Sequence, residues 1–227
     1  MQCLNNQNVL IEVGARASAL SKAQVKEIEQ ALQLHHPHIH FDVYYMSTIG
    51  DRDHTTSLRS LDRTDFFTQE IDQWVLKGTG RLGIHSAKDL PASLNEGLSV
   101  FCLTKGIDPS DSLVLRSDTT LDQLPIGATI ATSSIRREET VRQLRSHLNF
   151  CDIRGTIEQR LAKLQSKEID GVVIAEAALI RLGLTHLNRI SLPGETVQGQ
   201  GQLAVVGRKE ELCLKKVLRC LDCRENG

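Results

Sequence analysis

The sequence predicts an α/β protein built as two lobes. Three observations carry that prediction. Short apolar runs alternate with runs of helical periodicity. The alternation pauses at a polar, turn-forming stretch and then restarts. Polar and cationic side chains gather where the strand-like runs end, which is where open α/β sheets bind ligands.

The first lobe reads as βαβαβ. "NVLIEVGA" (8–15) is a buried strand. A helix follows over 18–36, with Leu20, Val25, Ile28, Ala31 and Leu32 on one face and Ser18 or Ser21 as its cap. "IHFDVYYMST" (39–48) is the next strand, "FFTQEIDQWVLKG" (66–78) a helix closed by Gly78, and "LGIHSA" (82–87) a short strand. Such repeats imply mostly parallel pairing. The segment "KGIDPSDSLV" (105–114) carries the turn signals of a crossover.

The pattern then repeats, with strands expected over 128–134 and 150–155 and helices over 136–148 and 156–168. "GVVIAEAALIRLGL" (171–184) holds a strand that enters a helix. In the tail, Leu214, Val217, Leu218 and Leu221 fall at helical spacing and predict a helix packed on a lobe. The expected division is 1–104 plus 198–227 for the first lobe and 105–197 for the second, with a cleft between them.

Composition narrows the function. The 227 residues carry a net charge of −1 and only 4% aromatics, which disfavours nucleic-acid binding and base-stacking platforms. No apolar run reaches membrane-span length, and the N-terminal stretch lacks a secretory pattern, so a cytoplasmic monomer with no membrane partner is expected. The six cysteines are scattered and read as reduced thiols. Cys220 and Cys223 form C-x-x-C, but a fourth ligand is not evident and no metal is expected. Walker A, G-x-G-x-x-G and G-x-S-x-G patterns are absent.

The chemistry-bearing residues sit at four strand ends. Arg16 and Ser18 follow the first strand, and His85, Ser86, Lys88 and Asp89 follow another. Thr132, Ser133, Arg136 and Arg137 follow a third, and Arg154 and Arg160 a fourth. Arg181 and Gln200 lie further on. The window 129–167 holds eight Lys/Arg against four Asp/Glu, so the second lobe reads as an anion-binding lobe. Helix N-termini and arginine forks suit carboxylate or phosphate. Plainer readings stand beside this. Arg136 and Arg137 are equally consistent with surface pairing to Glu138 or Glu139, and Arg142 and Arg145 with a solvated face. Ser18 and Ser133 fit simple helix caps, His85 a satisfied core histidine, and Lys88–Asp89 a structural pair. Asp89 is the lone acid among these basic clusters. A carboxylate ringed by Arg and Lys stays ionised and can stabilise a cation that develops on a bound polycarboxylate.

At these residues the chain resembles porphobilinogen deaminase (hydroxymethylbilane synthase). "HSAKDLP", "TSSIRR", "IRGTIEQRLAKL", "GARASALSKAQ" and "SLPGETVQGQGQLAV" match family motifs in family order. The resemblance implies two periplasmic-binding-protein-like lobes. It implies head-to-tail polymerisation of four porphobilinogen units with loss of ammonia, on a dipyrromethane cofactor held through a cysteine thioether. Position by position, Asp89 matches the catalytic aspartate. Arg16, Ser18, Lys88, Thr132, Ser133, Arg136, Arg137, Arg154 and Arg160 match carboxylate-binding positions. His85, Ser86, Arg181 and Gln200 match supporting ones.

The family's third α+β domain, with its cofactor cysteine in a G-G-C-like loop, has no counterpart in these 227 residues. Cys220 and Cys223 are therefore the thiols considered for attachment. Thr156 stands where the family has Asn, and "RSLDRTDFF" (59–67) offers Arg59 and Arg63 but no lysine, with Thr64-Asp65 in place of a typical Lys-Gly. A non-catalytic polycarboxylate binder or sensor is the alternative. Asp89 discriminates the two, because an anion binder gains nothing from a carboxylate in its site. A DNA-reading helix over "SSIRREETVRQLR" is disfavoured by the net charge.

Overall fold

The computed structural model describes residues 8–53, 55–57, 59 and 64–224. In chain order the elements are β1 (Val9–Arg16), α1 (Ala19–Gln33), β2 (Ile39–Met46), α2 (Ile49–Arg52), α3 (Gln69–Leu76), β3 (Leu82–Ser86) and β4 (Leu98–Leu103). Then come β5 (Asp111–Leu115), β6 (Thr129–Ala131), α4 (Ile135–Leu144), β7 (Asn149–Cys151), α5 (Ile157–Gln165), β8 (Gly171–Ala175) and α6 (Glu176–Arg181). The chain closes with β9 (Arg189–Leu192), β10 (Leu203–Arg208) and α7 (Leu212–Leu218).

Two compact units result. One holds Met1–Arg52, Arg63–Ile107 and Gln202–Gly227; the other holds Asp53–Asp62 and Asp108–Gly201. Against the expected boundaries, the division moves by three or four residues at two points, to Ile107/Asp108 and Gly201/Gln202. Residues 53–62 group with the second unit, because Ser57 and Arg59 bond to Asp152 there.

The first unit is a five-stranded sheet in the order β2-β1-β3-β10-β4. β1 is parallel to both neighbours, while β10 is antiparallel to β3 and β4. Ile11, Val13 and Ala15 of β1 are wholly buried. Val25, Ile28 and Leu32 of α1 pack on them with spacings of three and four, as the amphipathic reading requires. Ser18 caps α1 by accepting the Ser21 N–H at 3.2 Å, which settles the choice between the two serines. Leu214 and Leu218 of α7 complete this core, so the tail does pack on the first unit. Gly78 follows α3 with φ +73°, the left-handed conformation that a helix end demands of glycine.

The second unit is a five-stranded sheet in the order β7-β6-β8-β5-β9. β6 is parallel to β7 and β8, and β5 is antiparallel to β8 and β9. Leu113, Leu115, Ile130, Val141 and Val173 form its core. α4 sends only Val141 fully inside; its other residues are partly or wholly exposed. Burial of one valine stabilises by about 1.5–3 kcal/mol, so polar tethers carry much of this helix's placement.

The sheets are mixed, and the antiparallel share exceeds the expectation of mostly parallel pairing. In each sheet, two ladders are parallel and two antiparallel. The strands β4, β5 and β10 follow no α-helical spacer after the strand before them, so their direction was not legible from alternation. Among the described residues, no helix is long and apolar enough to cross a membrane.

Candidate functional site

The sheet order explains why the motif residues gather. In the first unit, β1 and β3 are parallel neighbours, so Arg16 and the stretch from His85 to Asp89 leave the sheet at the same edge. Ser86 ends β3, and its hydroxyl accepts Gln24 Nε2 at 2.8 Å, which ties α1 to that strand. A single 3₁₀ turn, Ala87–Asp89, follows and presents Lys88 and Asp89 half-buried.

His85 is 4% exposed, and its Nε2 lies 3.1 Å from Oδ1 of fully buried Asp72. This is the satisfied core histidine, and it anchors β3 to α3. Arg16 is held by Asp51: its Nε lies 3.1 Å from Oδ1, and its Nη2 is paired to the same oxygen. Its guanidinium also stacks 4.6 Å from the Phe67 ring centroid. Asp51 in turn accepts the Thr48 N–H and hydroxyl. Burial pushes the Asp51 carboxyl up, and the Arg16 guanidinium outweighs that, leaving it below its usual range.

Among the described residues, no side chain pairs with or hydrogen-bonds to the Asp89 carboxylate, and Lys88 is not its ion-pair partner. Arg16, the cation expected beside it in the same unit, is committed to Asp51.

In the second unit the ends of β6 and β7 are stitched together. Thr132 N–H donates to Cys151 O at 2.9 Å. Ser133 Oγ lies 2.8 Å from Ile153 O and accepts the Ile153 N–H at 2.9 Å. The cap of α4 is Ser134, whose Oγ accepts the Arg137 N–H, so Ser133 bridges strands instead of capping. Thr132 is buried, and its hydroxyl accepts the Ser134 N–H at 3.2 Å. Thr156 caps α5 through a reciprocal box with Gln159. Arg154 donates Nη2 to Asp53 O at 2.7 Å, and Arg160 donates Nε to Gly155 O at 3.0 Å.

Arg136 and Arg137 do not pair with Glu138 or Glu139. Both reach Asp111, which is 1% exposed at the start of β5. Because β5 runs antiparallel to β8, its first residue lies at the edge where β6 and β8 end. Arg136 Nη2 is 2.5 Å from Asp111 Oδ2, and Arg137 Nη2 is 2.6 Å from Oδ1. Gln200 Nε2 donates to the same Oδ1 at 2.9 Å, and its Oε1 accepts Arg137 Nη2 at 3.3 Å. Arg181 supports this end by donating to Gly201 O at 2.9 Å. Burial raises the Asp111 pKa, and Arg137 and Arg136 more than reverse that, so Asp111 is ionised below the ordinary carboxylate range.

Arg59 pairs with Glu138 at 2.8 Å and with Asp152 at 2.7 Å. Arg63 lies outside the described residues. Arg142 and Arg145 are not simply solvated: Arg142 pairs with Glu138 and covers Phe150, while Arg145 donates to the carbonyls of Asp122 and Leu124.

Cys220 is half-buried in contact with the first core, and burial pushes its thiol up, which disfavours the thiolate needed for thioether formation. Cys223 accepts a long contact from Gln202 at 3.7 Å. No group of three or more metal-ligating side chains converges among the described residues. Reasoning from sequence missed Asp51, Asp72, Asp111 and Asp152, the internal partners of the site residues. "DPSDS" marks a turn before a strand, but nothing local says that its second aspartate meets α4.

A family model described as the porphobilinogen deaminase, dipyromethane cofactor binding domain matches residues 11–216. A protein from Nostoc sp. named porphobilinogen deaminase is 37% identical over 218 residues, covering 93% of this chain and 68% of that one. Another of that name from Natranaerobius thermophilus is 35% identical over 220 residues, covering 95% and 71%.

Among solved structures, the methionine-binding protein MetQ aligns with a TM-score of 0.58 at 13% identity, covering 93% of this chain and 89% of that one. The OxyR2 regulatory domain from Vibrio vulnificus aligns with a TM-score of 0.54 at 13% identity, covering 97% of each chain. These likenesses bear on fold alone, which is the periplasmic-binding-protein-like pair of α/β lobes. The motif residues at four strand ends and the match along 206 residues lead to one assignment: the chain belongs to the porphobilinogen deaminase family.

Proposed function

We propose that the protein is a transferase that joins four porphobilinogen units head to tail into hydroxymethylbilane, releasing ammonia, in tetrapyrrole (haem) biosynthesis. One observation supports this reading above the others. Asp89, half-buried at the end of its 3₁₀ turn, makes no side-chain bond among the described residues, while Asp51 and Asp111 are paired with arginines. A carboxylate left open at a strand end is available to accept pyrrole N–H groups and to stabilise positive charge that develops on the ring.

The arginines take the acetate and propionate groups that every porphobilinogen carries. Arg137 leaves Nε and Nη1 without hydrogen-bond partners among the described residues, and Arg136 Nε is buried without one. Those donors suit carboxylates in bidentate geometry. Ser133 and Thr132 keep the strand ends in register beneath them, and Arg154 and Arg160 add charge at the next helix start. His85 and Ser86 fix the strand that carries Asp89; Arg181 and Gln200 fix the far side of the arginine pair.

Dipyrromethane is the family's cofactor, and these residues fit it, because it bears the same carboxylates and the orphaned Arg136 Nε requires an acceptor. Arg136 and Arg137 would hold it through its acetate and propionate groups. When bound, it supplies the pyrrole end onto which units are joined. We place the protein in the cytoplasm as a monomer.

Incubation of the purified chain with porphobilinogen tests the reading. Ammonia release and the absorbance of uroporphyrin after oxidation of the product are expected. Binding of porphobilinogen without ammonia release would overturn it in favour of a polycarboxylate sensor.

A further inference from the structure

We infer that Asp111 is the positioning residue for carboxylate recognition in the second unit: it holds Arg136 and Arg137 in one fixed fork, so that a ligand carboxylate meets their remaining N–H groups. This rests on the reading of that arginine pair as a carboxylate site.

The geometry divides the labour within one carboxylate. Oδ2 takes Arg136, and Oδ1 takes Arg137 together with Gln200. Arg136 Nη1 is further fixed on Glu195 O at 3.0 Å. These bonds use the outer nitrogens of both side chains. Arg136 Nε and the Nε and Nη1 of Arg137 are left, and none has a hydrogen-bond partner among the described residues. Free arginine side chains would sample many rotamers and give up that freedom on each binding event. Here the cost is met once, in folding, by an anchor that cannot itself move. β5 is hydrogen-bonded on both sides, with Asp111 opposite Ala175 of β8 and Leu192 of β9.

The arrangement also sets the charge. Two guanidiniums facing one buried carboxylate leave a net of one positive charge. A ligand carboxylate then completes neutrality without displacing Asp111. α4 contributes only Val141 to the core, so its N-terminal end, which bears both arginines, depends on this tether.

The test measures anion binding by the full chain, with citrate as the probe and no porphobilinogen present. Isothermal titration compares the wild type with Asp111→Asn, Asp111→Glu, the double variant Arg136→Gln/Arg137→Gln, and that double variant carrying Asp111→Asn. Asp111→Asn weakens citrate binding about tenfold or more, and Asp111→Glu, which restores both ion pairs, recovers most of it. In the double-variant background, Asp111→Asn changes affinity by less than about twofold, because it has no arginines to position. Should Asp111→Asn not fold, Gln200→Leu removes the companion bonds to Oδ1 and Arg137, and it weakens citrate binding about threefold or more.

Wild-type affinity in Asp111→Asn, an equal loss in the double-variant background, or no citrate binding by the wild type each overturns the inference. A chain that binds citrate in this pattern yet makes no bilane overturns the functional reading instead.

Discussion

Replacing Asp89 by alanine separates chemistry from stability more sharply than any other change in this protein. The residue is half-buried at the end of the 3₁₀ turn after β3, and among the described residues its carboxylate has no hydrogen bond or ion pair. Its removal therefore breaks no internal interaction, and a change without a broken contact stays within about 0.5 kcal/mol. For a chain of this length that is a melting shift of about 2 °C at most. The catalytic loss is far larger. A carboxylate about 4 Å from a developing positive charge, at an effective dielectric near 20, contributes about 4 kcal/mol. That converts to about a thousandfold in rate. Thermal unfolding and the initial rate of porphobilinogen consumption measure the two quantities on the same preparation. A variant that keeps a tenth or more of the wild-type rate would refute the role given to Asp89. So would a large drop in melting temperature, since that would mean the carboxylate is structural.

Two further outcomes follow from the packing and the charge. Gly207 sits in β10 between β3 and β4, and a Cβ there would lie 2.4 Å from Cε2 of buried Phe101. Neither the doubly paired backbone nor the ring has room to move, so Gly207→Ala costs about 1–3 kcal/mol or more and lowers the melting temperature, and an unchanged midpoint would contradict this packing. The carboxyl groups of Asp51, Asp111, Glu176 and Glu211 all titrate below their usual values: in Asp51 and Asp111 burial opposes their arginines and loses, and in Glu176 and Glu211 hydrogen bonds from Arg189 and Arg81 lead. Depressed carboxylates stabilise the fold fully above the unfolded value, near 4, and lose that contribution as pH falls through their folded values. Melting temperature should thus fall progressively below about pH 4, and a rise on acidification would show these pairs to be unimportant.

Much of the fold was legible along the chain because local patterns wrote it. The apolar spacing of Val25, Ile28 and Leu32 marked α1, and the Val/Ile runs marked β1 and β8. Gly78 marked the end of α3, and the pair Ser18 and Ser21 the start of α1, through cap chemistry that depends on two or three neighbours. β4, β5 and β10 carry no α-helical spacer and were passed over, and with them went the antiparallel ladders of each sheet. Ser133 looked like a cap and proved to be a bridge between strand ends, because Ser134 begins α4. Arg136 and Arg137 lay beside Glu138 and Glu139 in sequence, yet they chose a carboxylate 25 and 26 residues away.

The sequence by itself determined the family, the strand ends at which the polar residues collect, and the identity of the cations. Each is a property of residue types at short spacing. Only the tertiary structure decided which carboxylates are spent and which is open. Asp51, Asp111 and Asp89 are the same residue type, and no local pattern separates them. Sheet order does: it brings Asp111 to the edge where α4 begins, and the short helix α2 after β2 places Asp51 against Arg16. Ion pairing falls off over a few ångströms, so the partner is set by three-dimensional distance and not by separation along the chain.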